Sequence, residues 1–233
     1  MPTTTYGSNP FRPALFTFLR DLEQNNSRDW FQANKSRYED HLKEPALQFI
    51  SDFGPHLRKI SPHFQAIPKA SGGSLFRIYR DVRFSKDKSP YKTHVGIHFR
   101  HERARDAHAP GFYLHIQRGS VFIGAGMWRP DGPSLKQIRD TLAADPSGWR
   151  RAMKTKAFSD GWQLEGDRLK RPPRGYDAEH PLVDDLRRKD FIMVRRLTQK
   201  AVLAPDFPRQ YVALCRQAAP YMRYLCGAVG AAF

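Results

Sequence analysis

A chain of 233 residues, 40% of them hydrophobic, is long enough to bury a core without staples, and its two cysteines exclude a disulfide scaffold or a zinc ribbon. Lysine and arginine number 39 against 23 aspartate and glutamate, a formal charge of +16 that favours an anionic partner: nucleic acid, a nucleotide, a phosphorylated metabolite or anionic lipid. No stretch approaches the roughly 20 apolar residues of a membrane span, and the N-terminus lacks the basic-then-apolar pattern of a signal peptide, so no membrane partner and a cytoplasmic location are expected.

Residues 1–9 read as a loose leader. Residues 11–24 read as a helix, with Leu15, Phe18, Leu19 and Leu22 at helical spacing, stopped by Asn25 and Asn26. Ser27 is a good N-cap for a second helix carrying Trp30, Phe31, Tyr38 and Leu42. Pro45 suits the first turn of a third helix, which Gly54 and Pro55 kink or break. Residues 61–73 form a loop rich in Pro, Ser and Gly, with neither a phosphate-loop nor a dinucleotide fingerprint, and no cofactor is implied.

Residues 74–84 alternate with period two and read as a strand. Phe76, Ile78, Val82 and Phe84 then share one face with Arg80, an inward arginine that needs a carboxylate, a carbonyl cluster or an anion. Arg77, Tyr79, Asp81 and Arg83 share the other face. Residues 85–90 carry turn chemistry ending at Pro90. Strands follow at 94–101, 111–117 and 121–127, with a charged loop over 102–110 and a hairpin turn at 118–120. His94, His98 and Arg100 share a face with Gly96, opposite Val95, Ile97 and Phe99. His94, His98 and His115 are the residues a metal would use, but with nine histidines in the chain and no carboxylate at matching spacing, no metal site is expected.

A helix starts near Ser134, and another runs from Pro146 to about Lys156. Residues 164–169 suggest a short hairpin. An extended, basic segment with Lys170, Arg171 and Arg174 is expected to reach over the central sheet toward a helix near 182–188. Residues 191–203 fit strand or helix equally well. A last helix over about 206–226, kinked at Pro220, carries Cys215 and Cys226 about 16 Å apart, beyond disulfide reach. No repeat or linker divides the chain. The expectation is a single α+β domain over 1–233, with a central antiparallel sheet of about four to six strands and N-terminal and C-terminal helices packed on it.

The densest chemistry lies in residues 77–92. Arg77, Arg80, Arg83, Lys88 and Lys92 are candidate anion ligands, because guanidiniums and ammoniums bind phosphate or carboxylate. Arg171 and Arg174 join them if their segment crosses the sheet. In an enzymatic reading Asp81 or Asp87 would be the base and Tyr91 a proton donor. In a structural reading the same arginines and aspartates form an ion-pair network. The pattern Arg77, Arg80, Asp81, Arg83, Phe84, Asp87, Lys88 and Tyr91 resembles the signature Arg-x-x-Arg-Asp-x-Arg-Phe-x-x-Asp-Lys-x-x-Tyr of a bacterial family of uncharacterised proteins, found also within longer fungal proteins. The segment from Leu169 to Tyr176, with His180 and Pro181, is also similar to that family's pattern. The resemblance implies that the motif matters and names no substrate. The reading carried forward is binding of a phosphate-bearing ligand, nucleic acid or nucleotide. The alternatives are an enzyme acting on a small phosphorylated or carboxylated substrate, and a purely structural network.

Overall fold

The structure is a computed structural model that describes residues 6–103 and 108–233. A five-stranded antiparallel sheet organises it. The strands are β1 (His94–Arg100), β2 (Gly111–Gln117), β3 (Ser120–Met127), β4 (Gln163–Glu165) and β5 (Phe191–Leu197), in the order β1-β2-β3-β5-β4. The register places Val95 beside Ile116 and Val121, Ile97 beside Leu114 and Ile123, and Phe99 beside Phe112 and Ala125. These nine side chains are buried and form one face of the sheet.

Helices cover that face. At the N-terminus are α1 (Pro13–Gln24), α2 (Arg28–Ala33), α3 (Lys35–Tyr38) and α4 (Glu44–Ile60). At the C-terminal end are α5 (Gly132–Ala144), α6 (Pro146–Met153), α7 (Lys156–Ser159), α8 (Val183–Leu186), α9 (Gln199–Leu203) and α10 (Phe207–Ala228). Helix α4 packs on β1 and α10 on β3, and the two helices also touch each other. Their aromatic residues fill the seam: Phe53 meets Phe99 with ring centres 4.6 Å apart and Tyr211 at 4.9 Å. The fold is therefore α+β, with helices from both ends on one face.

Several elements differ from their sequence expectation. Ser27 does cap α2, its side chain accepting from the Trp30 N–H at 3.3 Å, but the helix stops at Ala33. Pro45 does not open a separate helix. A π-helical turn, Glu39–Lys43, leads straight into α4, and this wider turn accommodates the missing N–H and the ring of Pro45. Helix α4 also passes Gly54 and Pro55 unbroken, and α10 continues through Pro220. Residues 164–169 are not a hairpin: β4 pairs with β5, and Arg168 bridges to Arg188. The ambiguous stretch 191–203 resolves into strand β5 followed by helix α9.

The largest correction concerns residues 74–84, which form no regular strand. Leu75 makes a single bridge to Ile97, the Phe76 N–H donates to the Gly96 carbonyl at 2.9 Å, and the chain then leaves the sheet. Phe84, expected on the buried face, is 95% exposed. The physical reason is local pairing. The Arg80 N–H donates to the Pro90 carbonyl at 2.9 Å and the Lys92 N–H to the Ile78 carbonyl at 2.7 Å, so residues 78–80 pair with 90–92 and everything between becomes a loop. Sheet positions beyond β3 are filled by β5 and β4 instead.

The loose leader expected over residues 1–9 falls in part on residues 1–5, outside those described. From residue 6 onward the chain is pinned: Tyr6 stacks on His56, and the buried Asn9 amide donates to the Val202 and Ala204 carbonyls at 2.7 and 2.8 Å. The charged loop expected over 102–110 likewise includes residues 104–107, outside those described. Cys215 and Cys226 are both free and buried. Among the described residues, no helix is long and apolar enough to cross a membrane.

Candidate functional site at the signature loop

The loop 81–89 is organised by two carboxylates. Asp87 accepts from the Ser89 N–H at 2.9 Å and the Ser89 hydroxyl at 2.6 Å, and pairs with the Arg80 guanidinium across the loop. These bonds, the Ser89 ones foremost, hold its carboxyl well below the usual carboxylate range. Asp81 binds Arg83 through both oxygens, at 2.9 and 2.7 Å, and also accepts the Arg83 N–H. The Arg83 guanidinium therefore pushes the Asp81 carboxyl down to about 2. Carboxylates stabilised in this way are weak proton acceptors at neutral pH.

Arg80 is the inward arginine that the alternation predicts. Only 26% of its side chain is exposed, and Asp87 supplies the carboxylate it needs. Lys88 turns back to the Val82 carbonyl at 3.0 Å, closing the loop from the other side. Tyr91 is buried against Phe31, with ring centres 4.1 Å apart, and burial raises the pKa of its phenol. Arg77 is exposed and, among the described residues, donates no hydrogen bond.

A cleft of about 600 Å³ opens beside this loop, lined by Glu23, Asn26, Arg80, Asp81, Asp87, Ser89, Tyr91, Lys92, Thr93 and His94. Each acid in it has a cationic partner: Asp87 has Arg80, Asp81 has Arg83, and Glu23 has Arg118 at 3.3 Å. What remains uncompensated is Lys92. Its ammonium donates to the Arg77 carbonyl at 2.5 Å and the Tyr79 carbonyl at 3.2 Å, which leaves one of its three protons uncommitted. Burial first, then the nearby Arg77 charge, lower its pKa. An ammonium anchored by backbone carbonyls and not by a carboxylate keeps its charge available to an anion.

Lys92 also borders two other recesses. One, about 260 Å³, is lined by Ser71, Gly72, Gly73, Arg77 and Arg100 among others. The second, about 400 Å³, lies on the uncovered face of the sheet, and His94 is common to it and the cleft. His94 stacks on His115 at 4.5 Å. The His115 Nε2–H donates to the Gln117 Oε1 at 3.1 Å, and Nδ1 accepts from the Tyr113 hydroxyl at 3.1 Å. Both nitrogens of His115 are thus occupied, while His98 lies further along the strand against Phe76 and Tyr113. Among the described residues, no group of three or more His, Cys, Asp or Glu side chains is placed to hold a metal ion.

Arg80, Asp81, Asp87, Tyr91 and Lys92 therefore line one cleft at the β1 edge, and Arg77 lines the smaller adjoining recess that Lys92 shares. Arg171 and Arg174 do not line the cleft. Their segment is fastened to α8, where the Arg187 guanidinium donates to the Leu169 and Lys170 carbonyls at 2.9 and 3.0 Å, and to α5 through Tyr176 and Asp140 at 2.8 Å. Asn26 and Glu23 belong to the cleft without having been singled out. A helix-stop asparagine gives no sequence signal that it will reach residue 91.

A family model described as conserved hypothetical protein (DUF2461) matches residues 14–224, a span that contains the whole signature loop. The chain belongs to that family. No curated protein and no solved structure matches it. The DUF2461 match takes in both the β1 edge with its cleft and the uncovered face of the sheet, and it ends within the last turns of α10.

Proposed function

We propose that the chain binds a phosphate-bearing ligand, nucleotide or nucleic acid, in the cleft beside the signature loop. One observation carries this reading: the Lys92 ammonium, held by the Arg77 and Tyr79 carbonyls with one proton uncommitted, lines a cleft whose every acid is already paired. A phosphate placed at Lys92 takes its free proton, and the exposed Arg77 fork in the adjoining recess is the second donor for it. The formal charge of +16 steers such ligands toward the surface in general.

In this reading the signature divides its labour. Arg80, Arg83, Asp81, Asp87 and Lys88 shape the loop, and Arg77 and Lys92 meet the ligand. The aspartates favour the architectural share over a role as general base, because both are held by arginine or serine donors.

The test is fluorescence anisotropy with labelled single- and double-stranded DNA and RNA, and with a labelled nucleotide, at low and physiological salt. Arg77→Glu should weaken binding and reduce its salt dependence by about one phosphate contact, with the melting temperature unchanged. Equal affinity in the wild type and Arg77→Glu would place any binding on the general basic surface instead.

A further inference from the structure

The uncovered face of the sheet carries a trough whose shape the fold does not fully require. Register puts Gly96 on this face in a row with His115 and Phe122, Gly124 in a row with His98 and Tyr113, and Gly111 and Gly126 in a row with Arg100. Three of these glycines answer to packing. A Cβ at Gly111 would lie 2.0 Å from the His98 Nε2, one at Gly96 would lie 2.8 Å from the Tyr113 hydroxyl, and one at Gly126 would strike the Phe191 carbonyl at 2.0 Å. Gly124 is different. A Cβ there meets nothing nearer than 3.7 Å, an ordinary contact, and its backbone does not require glycine. The missing side chain at Gly124 serves the empty space above it.

That space is walled by rings. Phe76, Tyr113, Phe122 and Trp128 line it, with Trp128 half-exposed at the rim. His94 and His98 line it too, and burial holds both imidazoles well below their usual range, to about 4 and about 3, so both rings are neutral at neutral pH. Among the described residues the buried Nδ1 of His98 has no hydrogen-bond partner, a condition native proteins rarely leave unmet. The open backbone at Gly124, aromatic walls and a few polar atoms form a surface on which a flat ring stacks. At one end stands Lys92, shared with the signature cleft.

We infer that this trough receives the planar heteroaromatic ring of the same ligand whose phosphate meets Lys92 and Arg77, so that the ligand is a nucleoside phosphate. The inference rests on the phosphate reading for one half of the ligand. The ring half stands on Gly124, the aromatic walls and His98. The two recesses meet at Lys92 and His94, as the two ends of one small molecule require.

Isothermal titration of the full chain with adenosine, guanosine and uridine, their 5′-monophosphates and inorganic phosphate separates the two halves. A monophosphate should bind more tightly than its nucleoside. Gly124→Val, which fills the trough from a strand position that suits a β-branched residue, should weaken nucleoside and monophosphate alike by about tenfold or more, the worth of one stacked base, and leave inorganic phosphate untouched. Gly124→Ala should do the same to a smaller degree, so the test survives if the valine variant folds poorly. If monophosphates bind Gly124→Val and Gly124→Ala as tightly as the wild type, the ring assignment is overturned, whatever becomes of the phosphate. If nucleosides bind, lose affinity in Gly124→Val and gain nothing from a phosphate, the phosphate reading falls and the nucleotide assignment with it.

Discussion

Asn26 and Tyr91 exchange a pair of hydrogen bonds across 65 residues of sequence: the Asn26 amide donates to the Tyr91 carbonyl at 3.0 Å, and its oxygen accepts the Tyr91 N–H at 3.1 Å. A side chain here does what a neighbouring strand would do, satisfying both backbone groups of a residue beside the signature loop. The loop is thereby tied to the turn between α1 and α2, and the stacking of Tyr91 on Phe31 reinforces the tie.

Asn26→Ala should leave both Tyr91 backbone groups without their protein partner and cost about 1–3 kcal/mol in a urea titration. Asn26→Asp keeps the acceptor and loses the donor, so it should recover part of that loss at most. A variant as stable as the wild type would show that the tie is incidental.

The two signature ion pairs should differ in thermal denaturation. Arg80 is mostly covered and reaches both Asp87 and Ser85, so Arg80→Ala should lower the melting temperature. Arg83 and Asp81 are 76% and 47% exposed, and Arg83→Ala should leave it nearly unchanged, as expected for a solvated pair. The reverse order would assign the structural share of the signature to the wrong arginine.

The pH dependence of stability follows from the trough histidines. Burial depresses His98 to about 3 and His94 to about 4, below the usual value of 6.5. Between those values and 6.5 the unfolded chain binds more protons than the folded one. Their contribution is therefore complete above pH 6.5 and is lost progressively as the pH falls toward 3. Chemical denaturation at a series of pH values should show that decline, and His98→Phe should flatten it. A decline as steep in His98→Phe as in the wild type would assign the titration to other groups.

Asp190 is a buried carboxylate that holds two loops, accepting the Arg129 N–H and the Asp167 N–H, each at 2.8 Å. Arg129 has a left-handed φ of 50°, so the first bond secures a turn that a non-glycine residue does not favour. Asp190→Ala should cost on the order of 3 kcal/mol by denaturant titration, and a loss within the range of ordinary surface substitutions would refute that role.

Strands β1 to β3 were legible in the sequence because the core face takes an unbroken apolar set at every second position, as in Val95, Ile97 and Phe99, while glycine, histidine and polar residues fall between. The stretch 74–84 shows the same alternation without being a strand. There, side chains that pair within the loop, Arg80 with Asp87 and Arg83 with Asp81, compete with the ladder and win. At the site, the density of arginine and lysine located the cleft, but which cations are free could not be read. That depends on carboxylates and carbonyls meeting in space: Arg118 neutralises Glu23 from 95 residues away. The trough left a fainter trace, Gly96 alternating in phase with His94 and His98. Its meaning became visible only when β2 and β3 added their own glycines to the same face.

The central claim is that the signature cleft and the sheet trough form one ligand site joined at Lys92 and His94. The most direct test is to titrate adenosine 5′-monophosphate into isotopically labelled protein and follow amide and imidazole signals by NMR. The account predicts that Arg77, Lys92 and His94 shift together with Tyr113, Phe122 and Gly124, along one saturation curve. Shifts confined to surface lysines and arginines elsewhere, or no shifts at all, would contradict it.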